Sequence, residues 1–265
     1  MNFYASFEIN AENCLNNRAI NYGDGLFETL LVSDGSIPLW RLHMRRLLND
    51  LPRLGLEKID TAVVYAKIIQ LCQNKGDFIA KLVVFRSVTQ RGYRGNTNNV
   101  EWYINIAPYE SLLKEPKIGF SSIHLAHQKQ LAGLKHLNRL EQVMAANALI
   151  GTNYTDAVVC DKKNNIIETI SKNIVFIKNK QLYTPKLNNC GVYGVALRWL
   201  QSQGYHLQFQ KIKKKQLASF DAMLVCNAVS GFMEVKNIAN KFHFATNSPI
   251  IADIKTKWGQ TLNTA

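Results

Sequence analysis

Apolar positions in the first hundred residues switch between strand-like and helix-like rhythms. Phe27 to Val32 reads as a strand, Asp34-Gly35 marks a turn, and Ile37 to Trp40 reads as a resumed strand. Leu42, Leu47, Leu48 and Leu51 then recur at helical spacing and stop before Pro52. Asp60 can cap a second helix carrying Val63, Val64, Ile68, Ile69 and Leu71. Phe78 to Val88 and Trp102 to Ala107 predict strands, and Pro108 to Pro116 predicts a linker.

The second half opens with strand character from Ile118 to Leu125. A helix is predicted next, with Leu137, Leu140, Met144 and Ala148 on one face. A meander follows: Ala157 to Cys160, Ile166 to Thr169, Ile174 to Ile177, and Leu182 to Tyr183. Gly191-Val-Tyr-Gly194 leads into a helix that stops at Gly204. Tyr205, Leu207 and Phe209 alternate with polar residues, and Met223 to Cys226 predicts a short buried strand. The pattern is that of a mixed α/β (α+β) chain. It has a smaller N-terminal α/β domain over 1–108, a linker at 109–117, and a larger C-terminal domain over 118–265.

Composition narrows the classes. The chain has 265 residues, 47% of them hydrophobic, which is ample for a packed core and argues against disorder. The formal net charge is +13, from 32 Lys plus Arg against 19 Asp plus Glu. Such a surplus can attract nucleic acid, acidic membrane or anionic metabolites, but here it is spread along the chain. The exception is Lys211, Lys213, Lys214 and Lys215, which lack interleaved aromatics and read as a solvated strand-to-helix connection. A nucleic-acid-binding module would rest on net charge alone, so no nucleic-acid partner is expected.

Cys14, Cys72, Cys160, Cys190 and Cys226 are odd in number, widely spaced and free of any C-x-x-C, which argues against a disulfide framework or a structural metal site. Met1-Asn2-Phe3-Tyr4 lacks a charged start and an apolar h-region, and no apolar run reaches membrane-spanning length. A soluble cytoplasmic protein is the expectation.

The chemistry centres on Gly133-Leu-Lys-His-Leu-Asn-Arg-Leu-Glu-Gln-Val143. Lys135 lies just before the predicted amphipathic helix, among apolar neighbours. A lysine near apolar surface has a depressed pKa and can serve as nucleophile or base. By itself, a lysine at a helix start reads as a solvated surface residue, and Glu168 as a surface strand glutamate.

An ordered set of segments changes that reading. The Lys135 string closely resembles the cofactor-lysine segment of the lyase branch of the class IV (fold-type IV) pyridoxal-phosphate family. That family includes aminodeoxychorismate lyases and the branched-chain and D-amino-acid aminotransferases. Further resemblances follow in the family's order: Arg18 through Thr29, His43-Met-Arg-Arg-Leu47, Glu168 with Asn173, Tyr183-Thr-Pro with Gly191-Val-Tyr-Gly194, and Cys226-Asn-Ala228.

The resemblance implies a two-domain enzyme with pyridoxal 5'-phosphate between the domains. Lys135 would be joined to the cofactor's aldehyde carbon, and Glu168 would keep the ring nitrogen protonated. Arg46 would fork onto the phosphate, joined by the N–H groups of Val195 and Ala196 at a helix start and by Ala228. Arg45 would face solvent. Asn227, Arg91 and Tyr93 would lie on the substrate side, although Arg91 and Tyr93 also read as an ordinary exposed hairpin. A homodimer acting on a small anionic substrate is implied, with no metal.

Within the family, Lys-His-Leu-Asn-Arg-Leu is lyase-like. Leu140 stands where branched-chain aminotransferases place a tyrosine, and Arg139 where D-amino-acid enzymes have an uncharged residue. The expected reaction is release of pyruvate from 4-amino-4-deoxychorismate to give 4-aminobenzoate, a folate precursor. The alternative is an aminotransferase on the same scaffold. Two departures from the family pattern stand out: Leu197, followed by Arg198, where an arginine is usual, and Ser230-Gly-Phe-Met-Glu-Val235 in place of a proline-rich ending. If that loop aligns, Glu234 would put negative charge near the substrate.

Overall fold

Residues 3–72, 76–87, 92–110 and 115–263 are described in the computed structural model, which falls into two units. The first comprises Met1–Ser111, Lys135–Asn138 and Leu262–Ala265; the second comprises Leu112–Leu134 and Arg139–Thr261.

In the first unit β1 (Phe3–Ala5), α1 (Ala11–Leu15), α2 (Arg18–Tyr22), β2 (Gly25–Val32), α3 (Trp40–Asp50), α4 (Thr61–Leu71), β3 (Phe78–Arg86) and β4 (Val100–Pro108) follow in order. The strands form one antiparallel sheet in the order β1-β4-β3-β2. Leu30, Val32, Leu82 and Ile104 of the sheet are buried, as are Leu47 of α3 and Val64 and Ile68 of α4. Helix α3 packs on β2 and α4 on β4. The Asp60 carboxylate accepts the N–H groups of Ala62 and Val63, the expected cap.

The expected strand from Ile37 to Trp40 does not form. Ser33 and Ser36 make a single bridge, and the Trp40 N–H donates back to the Ile37 carbonyl at 3.0 Å around Pro38. A proline within so short a run removes a ladder donor, and the chain enters α3 instead.

The second unit contains β5 (Ile118–Leu125), α5 (Leu140–Asn147), β6 (Asp156–Asp161), β7 (Asn165–Thr169), β8 (Asn173–Lys178), β9 (Gln181–Pro185), α6 (Val195–Ser202), β10 (Leu207–Gln210), β11 (Ile212–Lys213), β12 (Ala222–Asn227), β13 (Gly231–Glu234), β14 (Asn237–Ile238), β15 (Phe242–His243) and α7 (Pro249–Asn263). The expected meander is divided between two sheets. β6 and β7 belong to β11-β7-β6-β5-β14-β15, whereas β8 and β9 belong to β10-β9-β8-β12-β13.

The division falls at a turn that Asp156 organises. Its carboxylate accepts the Thr169 and Ser171 hydroxyls and the Ile170 N–H. β6, β7 and β8 are buried along nearly their whole length. Burial on both faces suits strands within packed layers rather than a half-solvated meander. Ile118, Val158, Ile174, Phe176, Met223 and Val225 are among the core residues of this unit.

The α5 expectation also needs correction. The helix begins at Leu140, so Leu137 lies outside it. Leu140 is 71% and Met144 48% exposed, and Ala145 is the buried residue of the helix. The apolar stripe is real, but within this chain it faces outward. Helix α7, an element not expected from the sequence, buries Ile251, Ile254 and Trp258.

Candidate active site

Lys135 lies on an extended segment beside β2, not at the mouth of a helix. Its carbonyl accepts the Phe27 N–H at 2.9 Å, and the Leu137 N–H donates to the Gly25 carbonyl at 3.0 Å. The segment is locked antiparallel at Leu26 and His136. The Lys135 ammonium lies 4.2 Å from the centre of the Phe27 ring. It is thus half-buried against an aromatic face, where a cation is attracted by the ring quadrupole.

The next residue of β2 faces the other way. Glu28 shares the side of the strand that carries Leu26 and Leu30, toward α3, and is 1% exposed. His43 and Arg46, three residues apart on α3, present one face to it. Arg46 Nε donates to Glu28 Oε1 at 2.7 Å, and Arg46 Nη2 donates to Oε2. His43 Nδ1 lies 2.6 Å from Oε2. Burial by itself would raise the Glu28 carboxyl, but the charge of Arg46, with His43 and their hydrogen bonds, brings it down to about 2. Burial holds His43 below its ordinary value despite Glu28, with Arg46 and Lys135 acting in the same direction as burial. The neutral imidazole therefore donates its Nδ1–H to an ionised carboxylate.

The Arg46 fork that the structure shows is on Glu28, whose carboxylate takes the Nε–Nη2 edge. Glu28 and His43 lie within the Arg18–Thr29 and His43–Leu47 segments, and neither has a role in the sequence pattern alone. The signal available was a carboxylate of the same strand parity as Leu26 and Leu30, where a buried strand face demands a partner.

In the second unit Glu168 is 5% exposed, and its Oε2 accepts the Val192 N–H at 2.9 Å. Gly191, at φ +84°, sits where a Cβ would come within 2.6 Å of Ile167. The Asn173 Nδ2 donates to the Val192 carbonyl at 2.8 Å, and the Gly133 N–H to the Gly191 carbonyl at 2.9 Å. The Gly191–Gly194 segment is thus fixed from three sides before α6 begins. α6 starts at Gly194 without a side-chain cap, and Val195 and Ala196 are fully buried in its first turn. First-turn N–H groups have no partner within their helix and carry its positive end. That suits the expected anion contact.

Asn227 organises a turn. Its Oδ1 accepts the Val229 N–H at 3.0 Å, the Ser230 N–H at 2.7 Å and the Ser230 hydroxyl at 3.1 Å, while Nδ2 donates to the Ser171 carbonyl at 3.3 Å. The side chain shapes the turn that presents Ala228, which is 8% exposed. Glu234 does not supply uncompensated charge. It pairs with Lys255 and accepts the Asn247 N–H.

Arg91 lies outside the described residues. Tyr93 is 90% exposed. Its carbonyl and that of Gly92 accept hydrogen bonds from Arg18, whose Nε is paired with Asp24. Arg86 binds the same Asp24 oxygen. Arg139 donates to the Leu134 carbonyl, one residue before Lys135. An open pocket of about 420 Å³ near Ser171 contains none of the expected site residues.

No His/Cys/Asp/Glu cluster among the described residues could hold a metal ion. Pyridoxal phosphate fits the residues present. An amine lies against an apolar ring, a buried carboxylate is held by a backbone N–H, and an uncapped helix start follows a glycine that cannot bear a Cβ. The structure groups Lys135 with Glu28, His43 and Arg46 in one unit. It groups Glu168 with the α6 start, Asn227 and Ala228 in the other.

Residues 25–238 match the model of the amino-transferase class IV family. The chain is 31% identical over 243 residues to an aminodeoxychorismate lyase of Vibrio harveyi, covering 87% of this chain and 90% of the relative. The crystal structure of 4-amino-4-deoxychorismate lyase from Pseudomonas aeruginosa superposes with a TM-score of 0.86 at 27% identity, covering 98% of this chain and 99% of that one. A branched-chain aminotransferase from Thermoproteus uzoniensis shares the fold, with a TM-score of 0.83 at 18% identity over 99% of this chain and 95% of the other. The fold is that of the fold-type IV enzymes, and the chain belongs to the class IV aminotransferase family.

Proposed function

We propose that this chain is a pyridoxal-phosphate-dependent lyase that converts 4-amino-4-deoxychorismate into 4-aminobenzoate and pyruvate. The observation that carries the substrate is the likeness to the Vibrio harveyi lyase over most of both chains. The placement of Lys135 against Phe27 supports the cofactor.

The bound cofactor supplies an electron-accepting ring that stores the electron pair left when a carbon beside the amine loses a proton. Lys135 Nζ would hold the cofactor through its aldehyde carbon and would be displaced by the substrate amine. The freed Nζ takes the proton from the amine-bearing carbon. The ether carbon–oxygen bond then breaks, the six-membered ring becomes aromatic, and Lys135 returns a proton to the departing enolpyruvate. Glu168 would hold the proton on the ring nitrogen. Arg46 and the N–H groups of Val195, Ala196 and Ala228 would hold the phosphate. Asn227, Arg91 and Tyr93 act on the substrate side, Asn227 through the turn it shapes as well as its amide.

In this reading residues 1–108 and 118–265 are the working domains, joined at 109–117. A homodimer in the cytoplasm is part of the proposal. The outward stripe of Leu140, Val143 and Met144, with Ile150 beyond it, supports self-association. The thiols are unpaired, as in a reducing compartment. No helix among the described residues is long and apolar enough to cross a membrane.

The test is incubation of the cofactor-loaded protein with 4-amino-4-deoxychorismate and no keto acid. Pyruvate and 4-aminobenzoate are expected in equal amounts. Turnover that requires a keto-acid acceptor and yields an amino acid would overturn the lyase reading in favour of an aminotransferase.

A further inference from the structure

We infer that Glu28 is a positioning residue for the cofactor's phosphate: it grips one edge of the Arg46 guanidinium, with His43 bracing the carboxylate, so that the other edge is aimed and held before the cofactor arrives. The inference rests on the cofactor reading above and deepens it.

The physical argument starts from cost. Three ionisable side chains lie between β2 and α3, with Glu28 and His43 each 1% exposed and Arg46 3%. Taking charges out of water is expensive, and an apolar trio of similar volume would hold a helix to a sheet at least as well. Packing therefore does not explain the choice of residues. Orientation does. A guanidinium has five donors in a rigid plane, and a carboxylate on its Nε–Nη2 edge fixes that plane. Oε2 receives both Arg46 Nη2 and the His43 Nδ1–H, so the carboxylate cannot turn without losing a second contact.

Strand β2 adds a register. Phe27 binds the Lys135 backbone and lies under its ammonium, while Glu28, the next residue, holds Arg46. One dipeptide thus sets the separation between the amine that takes the aldehyde and the guanidinium that takes the phosphate. In the cofactor those two groups are a fixed distance apart, so a shared ruler on the protein is what binding both at once requires.

The test compares Kd for pyridoxal 5'-phosphate and for pyridoxal, read by visible absorbance of the purified protein. The Kd for pyridoxal divided by the Kd for pyridoxal 5'-phosphate is the selectivity for the phosphate, and this ratio isolates the phosphate contact. Glu28→Gln places an amide donor against Arg46 and His43, and the ratio should fall about tenfold while pyridoxal affinity changes little. Glu28→Asp, which keeps the charge one methylene further back, should lower the ratio severalfold and serves if the glutamine variant does not fold. His43→Asn keeps a donor near Oε2 and should retain the ratio, whereas His43→Leu should lower it.

Equal losses for both ligands would mean a purely structural role and overturn the inference. So would an unchanged ratio. A ratio that rises would show that Glu28 merely neutralises Arg46, and overturns it too. Wild-type protein that takes up neither ligand would overturn the cofactor reading itself, a result distinct from wild-type selectivity that survives in Glu28→Gln.

Discussion

Asn173 and Gly194 are in such close approach that a Cβ on Gly194 would lie 1.9 Å from the Asn173 Oδ1. The φ of Gly194 is −67°, which any residue can adopt, so the glycine is required by its neighbour and not by its backbone. Asn173 in turn holds the Val192 carbonyl. Together they fix the approach to α6.

Gly194→Ala should therefore destabilise by about 2 kcal/mol or more, because a side chain or the backbone must shift. Asn173→Ala opens the space at the cost of one hydrogen bond. The double variant should be more stable than the sum of the two losses predicts, as contacting sites are non-additive. Chemical denaturation of the four proteins measures this. Strict additivity would mean that the two residues do not meet.

Borohydride treatment of the cofactor-loaded protein should label one peptide, the one containing Lys135. Lys135→Ala should abolish turnover and leave the fold intact, since Lys135 is half-buried beside Phe27 and plugs no core. Glu168→Gln should slow turnover strongly, because an unprotonated ring nitrogen is a poorer electron sink. Mass spectrometry that finds the label elsewhere would overturn the Lys135 assignment.

Asn227 separates into two roles. Asn227→Ala removes three acceptor contacts in the 227–230 turn and should lower stability by about 1–2 kcal/mol. Asn227→Asp keeps an acceptor for the turn but loses the Nδ2 donor. If the amide meets a substrate carboxylate, Asn227→Asp should raise the Michaelis constant with little loss of stability. An unchanged Michaelis constant in Asn227→Asp would confine the residue to its turn.

Glu28 sets an acid dependence. Its folded-state pKa of about 2 lies below the ordinary glutamate value. Its contribution to stability is present above about pH 4.5 and is lost as pH falls toward the folded value. The lowered His43 pKa acts in the same direction over a higher range, because a group kept neutral by folding costs stability once an unfolded imidazole would take a proton. The difference in melting temperature between wild type and Glu28→Gln should therefore shrink as pH falls from about 5 to below 3. A difference constant across that range would show that the carboxylate is not ionised in the fold.

Thiol chemistry offers an independent check on the core. Burial pushes the Cys190 thiol up to about 12, with Asp161, Glu168 and Glu141 adding to it, and burial raises Cys72, Cys160 and Cys226 as well. Cys14 is partly exposed. A disulfide-exchange reagent should modify Cys14 quickly in the native protein and the other four only on unfolding. Fast modification of Cys190 would mean that the segment leading to Gly191 is open to solvent.

The sequence by itself determined the family and most of the strands, because these depend on short-range order. The continuous apolar run Ile174 to Ile177, the alternation from Leu207 to Phe209, the Asp60 cap, and the motif around Lys135 are local statements that survive any packing. Tertiary structure decided what each surface faces. The 157–183 strands read as one meander, yet Asp156 gathers the Thr169–Ser171 turn and divides them between two sheets, a pairing that links residues 13 to 15 apart. The stripe on α5 has the spacing of a buried face and lies outward, since periodicity records which residues share a side and not what covers it. Ile37 to Trp40 has strand composition, but Pro38 and the start of α3 claim it. Glu28 is the sharpest case. In sequence it is a glutamate in an apolar strand; only the approach of α3, fifteen and eighteen residues later, gives it His43 and Arg46 and makes a buried carboxylate tenable.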